Sequence, residues 1–206
     1  MSTWVFVRHG QSEANRDGWY AGAFDSGLTD LGRAQAEDAQ PKLFTSPPSR
    51  EPFARAVCSD LSRAHDTAKI LLQGQHTPLT VTDQLRERSV GAWEQRPIAT
   101  VRAAGHHDRH LRHWNSRPPE GESLCEVALR ATRWLAALPE IEAPTLVVSH
   151  GALMRSVLLV LDGRATETVD GWHPDNCEAV VREVPAGAWG RAYAALCATG
   201  SSPPSG

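Results

Sequence analysis

Cysteine is scarce and scattered in this 206-residue chain: Cys58, Cys125, Cys177 and Cys197 include no Cys-x-x-Cys pair, which excludes a zinc knuckle and a disulfide framework. They read as reduced, mostly buried thiols. No apolar run reaches the length that crosses a bilayer, and no basic segment followed by an apolar core opens the chain, so a cytoplasmic protein without a membrane partner is expected. A basic surplus is also missing. The formal net charge of −3 excludes a generally basic surface, so nucleic acid is not an expected partner and positive potential must be local. There is no internal repeat, and 206 residues leave no room for a second independent catalytic unit. Monomer and homodimer both stay open.

Short β-prone runs stand at Trp4 to Val7, Ala56 to Ser59, Thr80 to Thr82 and Leu146 to Ser149, separated mostly by helical patterns. That alternation predicts a largely parallel sheet with crossover helices. Thr29 caps a helix expected through Gln40, which Pro41 is expected to end. From Ser62, the spacing of Ala64, Ala68, Leu71 and Leu72 gives one apolar helical face closing near Gly74. Ser123 and Glu126 form a capping box before a helix to about Leu138, and Gly151 to Leu161 is a strongly apolar helix. Glu178 to Val184 and Trp189 to Leu196 read as edge strands, Ser46 to Pro52 as a surface loop, and residues 198–206 as a flexible tail.

Chemistry gathers where these strands end, as α/β proteins place it. The first runs into Arg8-His9-Gly10-Gln11-Ser12, the second into Ser59-Asp60-Leu61-Ser62-Arg63-Ala64, the third toward Leu85-Arg86-Glu87, and the fourth into Ser149-His150-Gly151. Arginine beside histidine suits an anion with a nucleophile against it. Together these stations resemble the histidine phosphatase superfamily, which also contains the cofactor-dependent phosphoglycerate mutases. The resemblance spans about residues 3 to 185, with Asn15, Asp25, Leu28-Thr29, Gly32, Pro119 to Ser123 and Asn176-Cys177 as supporting matches. Three positions depart from its pattern: Gly27 stands for a common proline, Asp66 for a common glutamine, and Glu178 for a small hydroxyl residue.

The resemblance implies a three-layer α/β/α sandwich with a mostly parallel central sheet, in one domain over 1–197, with a small helical cap inserted at about 88–122 over a phosphate pocket. It implies that His9 attacks phosphorus to form a phosphohistidine, that Arg8, Arg63 and His150 hold the phosphoryl oxygens, and that Glu87 protonates the leaving group and then activates water. Gln11, Asn15 and Gly151 complete the expected phosphate site, whereas Asp25 and Thr29 are expected to fix loop and helix geometry. Neither metal nor cofactor is expected, since the arginines do the electrostatic work. Val90-Gly91-Ala92-Trp93-Glu94 resembles the phosphatase branch, where mutases typically carry an Arg-His-Tyr-Gly-type sequence. The expected activity is therefore a metal-independent phosphatase acting on a small phosphorylated metabolite. The alternatives are mutase-type phosphoryl transfer, a non-catalytic phospho-ligand module and a protein phosphatase.

Substrate choice is expected from the cap, which holds Arg96, Arg102, His106, His107, Arg109, His110, Arg112, His113 and Trp114. This is the strongest local positive feature of a mildly acidic chain, so a polar, multiply anionic leaving group is one expectation. His106, His110 and His113 also have helical metal-ligand spacing, against which a solvated helix face is the favoured reading. Trp172 and Asn176, late in the chain, are further candidates for contact with the leaving group. A composition rich in Ala, Arg, Trp and Pro points to a GC-rich bacterial source.

Overall fold

Strands β1 (Ser2–Arg8), β2 (Arg55–Ser59), β3 (Leu79–Thr82) and β4 (Thr145–Ser149) run parallel, and β5 (Ala179–Val184) lies antiparallel to β1 at one edge. The order across the sheet is β3-β2-β4-β1-β5. The computed structural model describes residues 1–45, 52–105, 113–164 and 172–199. Residues 46–51 of the expected Ser46 to Pro52 loop, the histidine-rich run 106–112 and residues 200–206 of the expected 198–206 tail lie outside them.

Helices follow in chain order as α1 (Glu13–Asp17), α2 (Asp30–Thr45), α3 (Ser62–Leu71), α4 (Ile98–Ala103), α5 (Leu124–Ala136), α6 (Gly151–Leu161) and α7 (Ala188–Ala198). Because side chains alternate along a strand, each face of the sheet builds its own core. Val5, Val7, Cys58, Leu146 and Val148 meet Leu43 of α2 and Ala68 and Leu71 of α3. On the other face Trp4, Phe6, Val57 and Val147 meet Val127 and Leu135 of α5, Leu153 and Met154 of α6, and Trp189 of α7. Two helical layers thus sandwich a mostly parallel sheet, the expected α/β/α architecture. Each large apolar side chain so enclosed contributes about 1.5–3 kcal/mol of transfer free energy.

Local signals explain most helix starts. Thr29 Oγ1 accepts from Gly32 N–H at 3.0 Å, and Ser123 with Glu126 forms a reciprocal capping box. Two boundaries differ from the sequence expectation. α2 runs through Pro41 to Thr45, because Leu43, two residues past the proline, is 2 % exposed against the core, and tertiary burial overrides the local cost of proline. Trp189 to Leu196, expected as a strand, is the helix α7. Its buried Trp189, Ala192 and Leu196 follow a helical stripe, and alanine favours that state. Of the four thiols, Cys58 and Cys125 are buried, Cys177 is half-buried and Cys197 is exposed. No helix is long and apolar enough to cross a membrane among the described residues.

Candidate active site

The parallel strands deliver their carboxyl ends to one crevice. Arg8 pairs in register with Ser149, and His9 N–H donates to the Ser149 carbonyl at 2.9 Å, so the residues after β1 and β4 emerge side by side. His9 is 4 % exposed, and its ring centroid lies 5.1 Å from that of His150 in an edge-on arrangement. The His9 Nδ1 atom is 2.7 Å from the Gly10 carbonyl oxygen. A carbonyl only accepts, so Nδ1 carries the ring proton and Nε2 keeps its lone pair. Burial, reinforced by the charges of Arg63 and Arg8, holds the His9 pKa well below the ordinary 6.5. The same burial, with Arg63 beside it, depresses His150. His9 is thus a neutral imidazole at neutral pH with one basic nitrogen.

Two guanidiniums stand against it. Arg8 donates through Nη1 to the Pro174 carbonyl at 2.7 Å, and Arg63 donates to the carbonyls of Phe24 and Gly22 at 3.0 and 2.8 Å. Burial lowers the pKa of both, and the carboxylate of Glu87 opposes that shift in each case. Arginine keeps its charge through such shifts. The loop that grips Arg63 is itself braced: Glu94 Oε1 accepts from Ala23 N–H and Ser89 Oγ, both at 3.0 Å. Arg8 Nε and both ring nitrogens of His150 are buried without a hydrogen-bond partner among the described residues. Such groups carry an unrelieved desolvation cost that an oxyanion beside Arg8 and Arg63 would offset.

Glu87 reaches the same crevice from the segment after β3. His150 is the N-cap of α6 yet gives no side-chain bond to the helix, and Glu87 supplies the acceptors instead. Its Oε2 takes Ala152 N–H at 3.2 Å and its Oε1 takes Leu153 N–H at 3.3 Å. Gly151 keeps the floor open: a Cβ there would meet His173 Nδ1 at 3.4 Å, Arg8 Nε at 3.8 Å and Glu87 Oε2 at 3.9 Å.

A cavity of about 470 Å³ opens over these groups, walled by Arg8, His9, Asn15, Arg63, Glu87 and Gly151 among the expected residues. His150 is fully buried behind them, against the His9 ring. Gln11 is not on the wall, since its amide oxygen accepts from Thr29 Oγ1 at 2.9 Å and so serves the start of α2. Asn176 is not on the wall either: its amide donates to the His9 carbonyl at 2.9 Å and holds the His9 backbone from outside the cavity. Glu178, the departure noted beside it, accepts from Asp175 N–H at 2.6 Å within the same turn. Trp172 (39 % exposed) and Arg96 (exposed) are not on the cavity wall, and Arg112 lies outside the described residues. Asp25, as expected, holds loop geometry by accepting from Ser62 N–H and Oγ, each at 2.9 Å.

Several wall residues escaped the sequence reading. Trp19, Tyr20, Val90 and Ile98 add apolar surface, and Arg88, Arg155 and His173 add to Arg102 among the polar lining. Arg88 is tied to the carbonyls of Glu122 and Ser116 at 2.6 and 2.8 Å, and burial pulls its pKa down to about 10. The one available signal was Arg155, a lone charge inside the apolar run of α6.

Residues 4–192 match the histidine phosphatase superfamily (branch 1). The chain is 35 % identical over 194 residues to 2,3-bisphosphoglycerate-dependent phosphoglycerate mutase 2 of Gloeobacter violaceus, covering 89 % of this chain and 86 % of that one. It is 30 % identical over 178 residues to the adenosylcobalamin/alpha-ribazole phosphatase of Escherichia coli, covering 84 % of each. Among solved structures, mycobacterial glucosyl-3-phosphoglycerate phosphatase in complex with VO3 superimposes with a TM-score of 0.76 at 29 % identity, over 88 % of this chain and 92 % of that one.

Proposed function

The chain belongs to the histidine phosphatase superfamily, branch 1, and from that premise we propose that it hydrolyses phosphomonoesters of small metabolites through a phosphohistidine on His9. The observation that carries this reading is the His9 ring: its proton is fixed on Nδ1 by the Gly10 carbonyl, so Nε2 is the nucleophile, and the half-buried Arg8 and the buried Arg63 flank it. In the first step Nε2 bonds to phosphorus while the bond from phosphorus to the ester oxygen breaks, and the Glu87 carboxyl hands its proton to that oxygen. Arg8, Arg63 and the buried His150 hold the charge spread over the phosphoryl oxygens. In the second step the Glu87 carboxylate takes a proton from water, whose oxygen attacks phosphorus and expels Nε2, returning the neutral imidazole and releasing inorganic phosphate. No step calls on a metal.

Similarity to a phosphoglycerate mutase at 35 % identity favours a second reading, mutase-type phosphoryl transfer. The phosphatase reading is preferred because the Val90 to Glu94 stretch supports this site: Trp93 packs behind the wall residue Val90, and Glu94 secures the loop carrying the carbonyls that grip Arg63. The test is phosphate release from a panel of phosphorylated metabolites with EDTA present, for wild type and His9→Ala. Release by wild type alone, on a few compounds, is expected. Interconversion of phosphoglycerates without net release would move the assignment to the mutase.

A further inference from the structure

Arg130 stands on α5, two turns after the Ser123 cap, and has no part in the reaction above. Its guanidinium holds the segment that follows β3 at three points. Nη1 donates to the Gln84 carbonyl at 2.8 Å, and Nη2 donates to the carbonyls of Arg86 and Glu87 at 2.8 and 3.1 Å. The last two carbonyls belong to the peptide units that flank the Glu87 Cα. The rest of the fork meets Glu122, with Nε donating to Oε1 at 2.8 Å and Nη2 to Oε2 at 3.1 Å. Glu122 in turn secures the chain just beyond: its Oε2 accepts from Ser89 N–H at 2.9 Å, and its own N–H donates to the Ser89 carbonyl at 2.9 Å. An arginine and a carboxylate at the start of one helix thus fasten the backbone before and after Glu87. The Glu87 carboxylate is aimed separately, by the N–H groups of Arg88, Ala152 and Leu153.

We infer that Arg130 is a positioning residue for the acid: its grip on the peptide units around Glu87 sets the reach of that carboxyl group to the departing ester oxygen. This rests on the phosphatase reading. Proton transfer in the transition state needs the carboxyl at hydrogen-bond distance from the oxygen, and a shift of about 1 Å costs on the order of 10²-fold. A loosened segment therefore penalises esters in proportion to their need for a proton. Lysine in place of Arg130 keeps the charge, but one ammonium cannot meet three carbonyls and a carboxylate as the planar fork does. The charge of Arg130 also helps to depress the His150 pKa. That influence bears on the phosphoryl group of every ester alike, and lysine preserves it.

The experiment measures kcat/KM of wild type, Arg130→Lys, Arg130→Gln, Glu87→Gln and the double variant Glu87→Gln/Arg130→Lys on two esters of similar shape. Phenyl phosphate has a basic leaving group that needs a proton, and p-nitrophenyl phosphate has one that does not. Arg130→Lys and Arg130→Gln are each expected to lower kcat/KM on phenyl phosphate by about 10- to 100-fold. On p-nitrophenyl phosphate the change should stay within about threefold, which also shows that each variant is folded. Adding Arg130→Lys to Glu87→Gln should change phenyl phosphate turnover by less than about threefold, because the group being positioned is already gone. An equal loss on both esters, a lysine variant with wild-type kcat/KM on phenyl phosphate, or a full further loss in the double variant would overturn the inference and leave the phosphatase reading intact. A wild type that cleaves p-nitrophenyl phosphate but not phenyl phosphate would do the same, since no acid is then at work. Release of phosphate from neither ester by wild type removes both readings.

Discussion

Gly10 and Gly32 meet backbone against backbone: a methyl group on Gly10 would collide with the Gly32 carbonyl oxygen, and one on Gly32 with the carbonyl oxygen of Gln11. The loop after β1 and the first turn of α2 are locked by this contact, which sets the carbonyl of Gly10 under His9. Gly32→Ala is expected to lower stability by about 1–3 kcal/mol, read from the urea midpoint, and to reduce kcat at least tenfold by shifting the nucleophile. Unchanged activity in a folded variant would show that the contact does not position His9.

Glu87→Gln should still fold and bind substrate, at a cost of about 1–2 kcal/mol, because the amide oxygen keeps one of the two N–H bonds from the first turn of α6 while its NH2 faces the other. Turnover of alkyl phosphates should fall by about 10²- to 10⁴-fold. The loss should shrink for p-nitrophenyl phosphate, whose leaving group needs no proton, and a uniform loss across both esters would remove Glu87 from the acid's role.

Arg63→Lys retains the charge but cannot reach the carbonyls of Gly22 and Phe24 together. It should cost about 1–3 kcal/mol in thermal or urea unfolding and lower kcat/KM by about 10²-fold or more. A lysine variant with wild-type kcat/KM would show that the fork geometry is unnecessary.

Stability should decline on mild acidification through the two buried histidines. Both have folded pKa values well below the 6.5 of the unfolded chain, so below about 6.5 the unfolded state binds more protons. The favourable contribution is complete above 6.5 and is lost as pH falls toward the folded values, at up to about 1.4 kcal/mol per pH unit per histidine. Urea midpoints between pH 7 and 5 measure it. Replacing His9 and His150 together by glutamine should flatten that slope, and an unchanged slope would assign it elsewhere.

The strand exits, the Ser123–Glu126 capping box and the limits of α6 were legible because each depends on residues close in sequence. Arg8, His9, Arg63, Glu87 and Gly151 reach one cavity as the pattern implied. What was not legible is set by partners far apart in the chain. Gln11 is drawn off by Thr29, and Asn176 by the His9 carbonyl. Pro41 is carried inside α2 by the burial of Leu43, and Trp189 is turned inward on a helix by its edge contacts with Trp4 and Phe6, at 5.2 and 6.1 Å between ring centroids. The contact between His173 and Arg155 joins a late loop to a helix interior, and no local spacing announces it.

Val90, Trp93 and Val101, with Tyr20 packed against them, form a cluster of their own, apart from the two cores on the faces of the sheet. Val90 and Tyr20, which stand on the cavity wall, are therefore packed apart from the cores that hold β1 and β4 with His9 and His150 at their ends. Mutations in that small cluster can reshape what the cavity admits at little cost to the folding of the sheet. Lineages sharing this scaffold can in this way exchange substrates while the phosphoryl chemistry beneath stays fixed.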